Sequence, residues 1–81
     1  MRSVIHDPLF ADSLHDLIGG PAIADEYVAA VESVLAESPE MGTLLESGVW
    51  MIPAAPIGSQ SVAVYYTFDE DEVLLIAMTA F

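Results

Sequence analysis

The stretch from Gln60 to Phe81, QSVAVYYTFDEDEVLLIAMTAF, decides the fold because it holds two strand patterns on either side of an acidic run. Before the run, larger apolar side chains alternate with small or polar ones, which is the period of a strand that buries one face. After it, the segment from Val73 to Met78 is apolar at every position, so we expect a strand that is covered on both faces. The run itself, Asp69 to Glu72, predicts a solvated turn, and the whole stretch therefore predicts an antiparallel hairpin.

Two helical patterns lie upstream of this hairpin. The first begins at Asp7 and Pro8, an acid that can cap a helix and a proline suited to the first helical position. Apolar residues then recur at helical spacing until Gly19-Gly20, which predicts the end of the helix. Pro21 begins a second pattern that continues to a Ser-Pro pair and a short turn. We expect the two helices to form an αα-hairpin against the sheet.

Short strand patterns at the N terminus and in the middle of the chain complete the prediction. Ser3–His6 predicts the first strand, and Val49 to Ile52 predicts the strand before the hairpin. We expect a loop from Pro53 to Ser59, because its two prolines cannot donate to a ladder, and only a connection from Thr43 to Ser47. The order β-α-α-β-β-β, ending in an antiparallel three-stranded meander, predicts a single α+β domain over residues 1–81.

The charge balance excludes whole classes of function. The chain carries thirteen Asp and Glu residues against one basic side chain, Arg2, which gives a formal net charge of −12. One base cannot neutralise several phosphates, so we expect no autonomous binding to nucleic acid or to an anionic membrane surface. The same charge favours a basic protein partner.

Cysteine usage and hydropathy favour a cytoplasmic protein. The chain contains no cysteine, so it has neither a disulfide framework nor a thiolate metal site. Met1 and Arg2 are followed by a mixed segment rather than by the apolar centre of a signal peptide. The longest apolar run is far shorter than the roughly 20 residues of a membrane-spanning helix. We therefore expect a cytoplasmic protein with no membrane partner and no cofactor.

Aromatic and sulfur-containing side chains in the strands are the candidates for a binding surface. Tyr65 and Tyr66 are adjacent in a strand, so one should face the core and the other a more open side. Trp50 and Met51 alternate in the same way. With Phe81, at the end of the last apolar run, these are the predicted binding residues. The edge of the last strand leaves open both a homodimer formed by strand addition and a monomer whose N-terminal strand covers that edge.

The titratable side chains do not form a recognisable catalytic or metal site. His15 lies near Asp12 and Asp16 at helical spacing, but these groups do not complete a ligand set, and we expect a solvated helix face. His6 ends the first strand, where we expect a hydrogen bond to backbone rather than the role of a general base. The four contiguous acids lack the glycine and the ligand spacing of a calcium loop. We therefore predict no catalytic residue and no metal.

Three segments resemble the RelE/ParE superfamily of toxin–antitoxin toxins. The opening from Val4 to Phe10 is similar to that family's first strand running into its first helix, and Leu35 to Gly42 is similar to its segment of Leu, Asn-Pro or Asp-Pro, and Gly. Val62 to Ile76 resembles its central strand, acidic turn and final strand. In this order the segments cover nearly the whole chain, and the resemblance implies a helical hairpin on a curved sheet.

The same resemblance sets the functional expectations. Family members of the ribosome-dependent class cut messenger RNA with Arg, Lys, His or Tyr side chains on the concave face of the sheet. The positions where arginines are usual, Val49 to Ile52 and Ser59 to Ser61, contain none here. Because phosphodiester cleavage needs such charge stabilisation, we predict a toxin-like protein that acts by binding a basic, antitoxin-like or target protein, without nuclease activity. The alternatives are an active toxin that inhibits translation or gyrase, and an acidic mimic of nucleic acid.

Overall fold

The computed structural model describes residues 2–17, 21–45, 47–57 and 60–80. Within these residues the chain has the predicted α+β class, with two α-helices and a five-stranded mixed sheet. The elements in chain order are β1 (Ser3–His6), α1 (Pro8–Leu17), α2 (Pro21–Glu37), a 3₁₀ helix (Pro39–Met41), β2 (Thr43–Leu44), β3 (Trp50–Ile57), β4 (Gln60–Phe68) and β5 (Glu72–Ala80).

The strands lie side by side in the order β1-β5-β4-β3-β2. The three long strands β3, β4 and β5 form the predicted antiparallel meander. β1 adds to β5 in parallel, so the N-terminal strand covers the first half of that edge, from Glu72 to Leu75. The prediction of a mere connection after the helices is wrong in one detail, because Thr43 and Leu44 form the short strand β2 and pair with β3.

The strand β3 is longer than predicted. The loop expected from Pro53 onward is wrong as far as Ile57, because β3 continues through both prolines with a shift of register between Ala54 and Ile57. Pairing with β2 ends at Met51, so Pro53 lies where β3 is the outermost described strand. A proline is tolerated at such an edge because its missing N–H removes no bond to a neighbouring strand. The rest of that loop prediction, residues 58–59, lies outside the described residues.

Local hydrogen bonds begin α1 where the sequence predicts. The Leu9 N–H donates to Asp7 Oδ1 at 2.9 Å, and the Phe10 N–H donates to the Asp7 carbonyl oxygen at 2.9 Å. Asp7 therefore caps the helix, and Pro8 occupies its first position. α2 is followed by the predicted short turn. The predicted helix end at Gly19-Gly20 lies outside the described residues.

One face of the sheet holds the core. Both helices pack against β5, and the side chains beneath them are buried. Tyr66 is 0 % exposed, and its hydroxyl donates to the Pro39 carbonyl oxygen, which joins the end of the helical layer to the centre of the sheet. Gly42 passes close to this bond, and a Cβ there would lie 2.8 Å from the Met51 carbonyl oxygen, so glycine is required. The core cluster consists of Phe10, Val28, Leu35, Val62, Val64, Tyr66, Val73, Leu75 and Met78.

The strand β5 is not covered on both faces, contrary to the prediction from its continuous apolar run. Leu75 is 0 % exposed, whereas its neighbour Leu74 is only partly buried. The register with β4 shifts between Tyr65 and Tyr66, which places one extra residue in β5 at Ile76. The sheet thus has one face covered by helices and one apolar face without a second layer in the described part of the chain.

Candidate functional site

Strand register sorts the predicted binding residues onto two faces. In the antiparallel ladder of β3 and β4, Trp50 pairs with Tyr66 and Met51 pairs with Tyr65. Tyr66 is part of the core and Trp50 packs against it, so this pair lies on the side of the helices. Met51 and Tyr65 therefore face the opposite side. The opposite orientation of the two tyrosines is confirmed, and Phe81 lies outside the described residues.

The side of the sheet away from the helices forms a largely apolar surface. β1 contributes Ile5, which remains 45 % exposed, and its register partner on β5 is Leu74. Both alternate with side chains that pack into or against the core, so both point away from the helices. We call this surface the helix-free face and define it by Ile5, Met51, Tyr65, Thr67 and Leu74.

A groove of about 270 Å³ lies at one end of the helix-free face. Its floor is formed by Ile5 and Leu74, and the acids Asp69 and Glu72 lie at the end that adjoins the turn between β4 and β5. A ligand that enters this groove meets an apolar floor and negative charge together. The complete lining consists of Ile5, Thr67, Phe68, Asp69, Glu72 and Leu74.

The acidic turn holds one of its charges in a fixed position. Asp69 Oδ1 accepts hydrogen bonds from the backbone N–H groups of Asp71 and Glu72, each at 2.8 Å. These two bonds hold the pKa of Asp69 below its usual range because they stabilise the carboxylate, and the bond from Asp71 has the larger effect. All four turn residues are exposed, so the predicted solvated turn is confirmed.

Arg2, the only Lys or Arg residue of the sequence, makes contacts within the fold. Arg2 Nε donates to the Asp69 carbonyl oxygen at 2.6 Å, and the guanidinium carbon lies 5.5 Å from the centroid of the Phe68 ring. Such a contact attracts a cation to the face of the ring. Arg2 thus fastens the N terminus to the turn, and the residues that define the helix-free face carry no positive charge.

His6 has a side-chain partner rather than the predicted backbone partner. Its Nε2 lies 2.5 Å from Glu32 Oε1, and its ring centroid lies 5.3 Å from that of Phe10. Since Glu32 belongs to α2, the pair links the first strand to the second helix. His6 therefore contributes to packing between the layers.

Among the residues that the structure describes, the other titratable side chains form no assembled reaction centre. His15, Asp12 and Asp16 are exposed on α1, which confirms the predicted solvated helix face. In the described ranges, no group of three or more His, Cys, Asp or Glu residues could hold a metal ion. The same part of the chain contains no helix long and apolar enough to cross a membrane.

The buried phenol of Tyr66 donates a structural hydrogen bond and is poorly suited to act as a general base. Burial raises its pKa above the ordinary value of 10.0, although a hydrogen bond with the Gly42 backbone acts in the opposite direction and the negative charge of Glu40 adds a small increase. The phenol therefore stays protonated and donates to Pro39. Burial also raises the pKa of Tyr27.

Sequence reasoning missed three residues of the helix-free face: Ile5, Thr67 and Leu74. The alternation of Val4 and Ile5 in β1 shows that one of them faces away from the core, but it does not show what lies beside Ile5. That neighbour depends on the parallel pairing of β1 with β5, which joins residues almost seventy positions apart in the chain.

Comparisons with known proteins do not assign a family. No protein-family model matches the chain, and no curated protein is significantly similar to it. The interpretation of the helix-free face therefore depends on its geometry and charge.

Proposed function

We propose that this chain is a RelE/ParE-like protein of a toxin–antitoxin type system that acts by binding a basic protein partner on its helix-free face, with nuclease activity lost. The observation that carries the proposal is the groove in which Ile5 and Leu74 lie next to Asp69 and Glu72. The arrangement of both helices on one side of the sheet supports the resemblance to that family.

The helix-free face combines the two contributions that a protein interface needs. Apolar and aromatic side chains such as Met51 and Tyr65 provide area that can be withdrawn from water, and such residues often dominate interface affinity. The acids at the turn attract a basic partner and orient it, because complementary charge increases the association rate and specificity. A partner with an apolar patch beside Lys or Arg side chains fits both features.

The contacts that the candidate groups already make support the proposed loss of nuclease activity. Arg2 is held by the Asp69 carbonyl and the Phe68 ring, and His6 is held by Glu32. Cleavage of a phosphodiester needs hydrogen-bond donors or cations directed at the negative charge that develops in the transition state. The residues that define the helix-free face include two hydroxyl donors, Tyr65 and Thr67, but no cation. The carboxylates of Asp69 and Glu72 at its end would repel the developing negative charge.

A pull-down from the native host tests the proposal. The tagged wild-type chain should recover one small basic protein at low salt and release it at high salt, because exposed charge pairs are screened. Ile5→Lys should reduce recovery, since it places a positive charge on the helix-free face. Leu9→Lys is the matched control, because Leu9 is 62 % exposed on α1, away from that face.

Expression experiments distinguish this proposal from an active toxin. The wild-type chain should leave growth and messenger RNA intact when it is expressed alone. Growth arrest, or recovery of ribosomes or gyrase in the pull-down, would show that a toxin activity is retained and would contradict the proposal.

A further inference from the structure

A second apolar groove lies on the other side of the sheet, between α2 and β3. It has a volume of about 220 Å³. α2 packs against α1, β1, β5 and the 3₁₀ helix, and the groove occupies the space between α2 and β3. Val34 on α2 lines this groove and is 45 % exposed. The lining consists of Tyr27, Ala30, Val31, Val34, Leu35, Ile52, Pro53 and Ala54.

The outer rim of this groove carries acids at both ends and apolar side chains between them. Along α2, Glu26, Ala30, Val34 and Glu37 follow one another at spacings of four, four and three residues, so they form one row on the helix surface. All four are exposed. The two acids are eleven positions apart in the helix, which corresponds to about 16 Å along the helix axis.

The edge of β3 disfavours an extended segment as the occupant. A strand that added to this edge would need backbone donors, but Pro53 and Pro56 have none. The register of β3 against β4 also shifts between Ala54 and Ile57, and bulges in an edge strand oppose edge-to-edge pairing. A helix satisfies its own backbone and needs only an apolar stripe to enter such a groove.

The charge of the chain argues against a second copy as the occupant. Two chains that each carry a net charge of −12 repel one another. In a symmetric contact through this groove, the acidic rims at Glu26 and Glu37 would also approach each other. The complementary occupant is apolar in its middle and basic at both ends.

We propose that the groove between α2 and β3 binds an amphipathic basic helix of a protein partner, with apolar side chains over Ala30 and Val34 and Lys or Arg side chains near Glu26 and Glu37. This site goes beyond the proposed function, because it lies on the opposite side of the sheet from the helix-free face. A failure of either surface to bind therefore leaves the other open to a separate test.

The test uses a synthetic helical peptide as the probe and the ¹⁵N-labelled chain. The peptide carries Leu residues on one face and a Lys at each of two positions eleven residues apart, and a second peptide carries Glu in place of both Lys residues. The Lys peptide should cause saturable shifts at Ala30, Val34 and Ile52, and the Glu peptide should cause none. Absence of binding, or shifts centred on Ile5 and Leu74, would overturn the proposal.

Matched variants of α2 make the test specific. Ala30→Lys introduces a charge into the lining of the groove, whereas Ala29→Lys introduces the same charge one residue away at an exposed position outside the lining. Ala30→Lys should weaken binding of the Lys peptide about tenfold or more, and Ala29→Lys should weaken it by at most about twofold. Equal weakening by both would overturn the proposal, because it would show attraction by net charge alone.

Removal of the rim charges provides a second measurement that leaves the packing unchanged. The double variant Glu26→Gln and Glu37→Gln should weaken binding of the Lys peptide about threefold to tenfold, and high salt should reduce that difference. Unchanged binding would overturn the role of the acids. Ile5→Lys, on the helix-free face, should leave binding of the peptide unchanged, so a loss there would assign the peptide to the other surface.

Discussion

The two faces of the sheet differ in how completely their side chains are buried. On the face under the helices, Tyr66 and Leu75 are 0 % exposed, and the Tyr66 hydroxyl is paired with the Pro39 carbonyl. On the helix-free face, Tyr65 and Leu74 remain partly exposed although they are next to those residues in the chain. Consecutive residues of one strand therefore differ in how far the fold withdraws them from water.

The largest difference between the faces is expected from two adjacent leucines. Leu75→Ala removes a fully buried side chain and leaves a cavity, so it should reduce the free energy of unfolding by about 2–5 kcal/mol. Leu74→Ala should cost about 1 kcal/mol, because this side chain is only partly withdrawn from water. Urea unfolding monitored by circular dichroism measures both. Equal losses would show that both faces of β5 are packed alike.

The neighbouring tyrosines offer the same comparison for a hydrogen bond. Tyr66→Phe leaves the Pro39 carbonyl without its donor in a buried site, which should cost about 1–3 kcal/mol of unfolding free energy. Tyr65→Phe should change it by no more than about 0.5 kcal/mol, because Tyr65 is partly exposed. A larger loss for Tyr65→Phe in the same unfolding assay would reverse the assignment of the faces.

Alkaline pH should weaken the helix-covered face. Because burial raises the pKa of Tyr66 above 10.0, the folded state holds the phenol proton more tightly than the unfolded state. Stability is therefore complete below about pH 10 and falls as the pH rises from there through the folded pKa. Urea unfolding at a series of alkaline pH values should show this decrease, and Tyr66→Phe should reduce the slope. A flat profile in the wild type would contradict the burial of the phenol.

The smallest effect is expected at the acidic turn. The pKa of Asp69 is lowered by its two backbone hydrogen bonds. The contribution of the Asp69 carboxylate to stability is therefore present above pH 3.8 and is lost as the pH falls through the folded pKa. A pH titration of the Asp69 carboxyl carbon by NMR should place its pKa below the ordinary value of 3.8. Asp69→Asn keeps an acceptor oxygen and should hold the turn better than Asp69→Ala. Equal losses in the two variants, which both lack the charge, would show that the charge rather than the acceptor oxygen matters.

Local sequence patterns predicted much of this fold, because strand alternation and helix capping depend on residues that are close together in the chain. The alternation around Tyr65 and Tyr66 correctly assigns one residue to the core, and Asp7 with Pro8 correctly begins the first helix. The prolines of β3 misled the prediction, because their cost depends on whether the strand lies at an edge. That position is a property of the whole sheet and is not encoded in the strand alone.

The candidate site was harder to predict than the fold. Alternation named Met51 and Tyr65, which lie on the helix-free face. It also named Trp50 and Tyr66, which lie on the covered face. The groove at Ile5 and Leu74 requires β1 to pair with β5 in parallel, and no periodicity within either segment specifies that pairing. Long-range strand pairing therefore limits what a single sequence can predict about a surface.

One measurement tests most directly whether the helix-free face is the binding surface. The protein recovered in the low-salt pull-down is purified and titrated calorimetrically against wild-type chain, Ile5→Lys and Leu9→Lys. We predict that Ile5→Lys weakens the affinity about tenfold or more and that Leu9→Lys changes it by no more than about twofold. Equal affinities for all three chains, or a loss confined to Leu9→Lys, would contradict the assignment of the helix-free face.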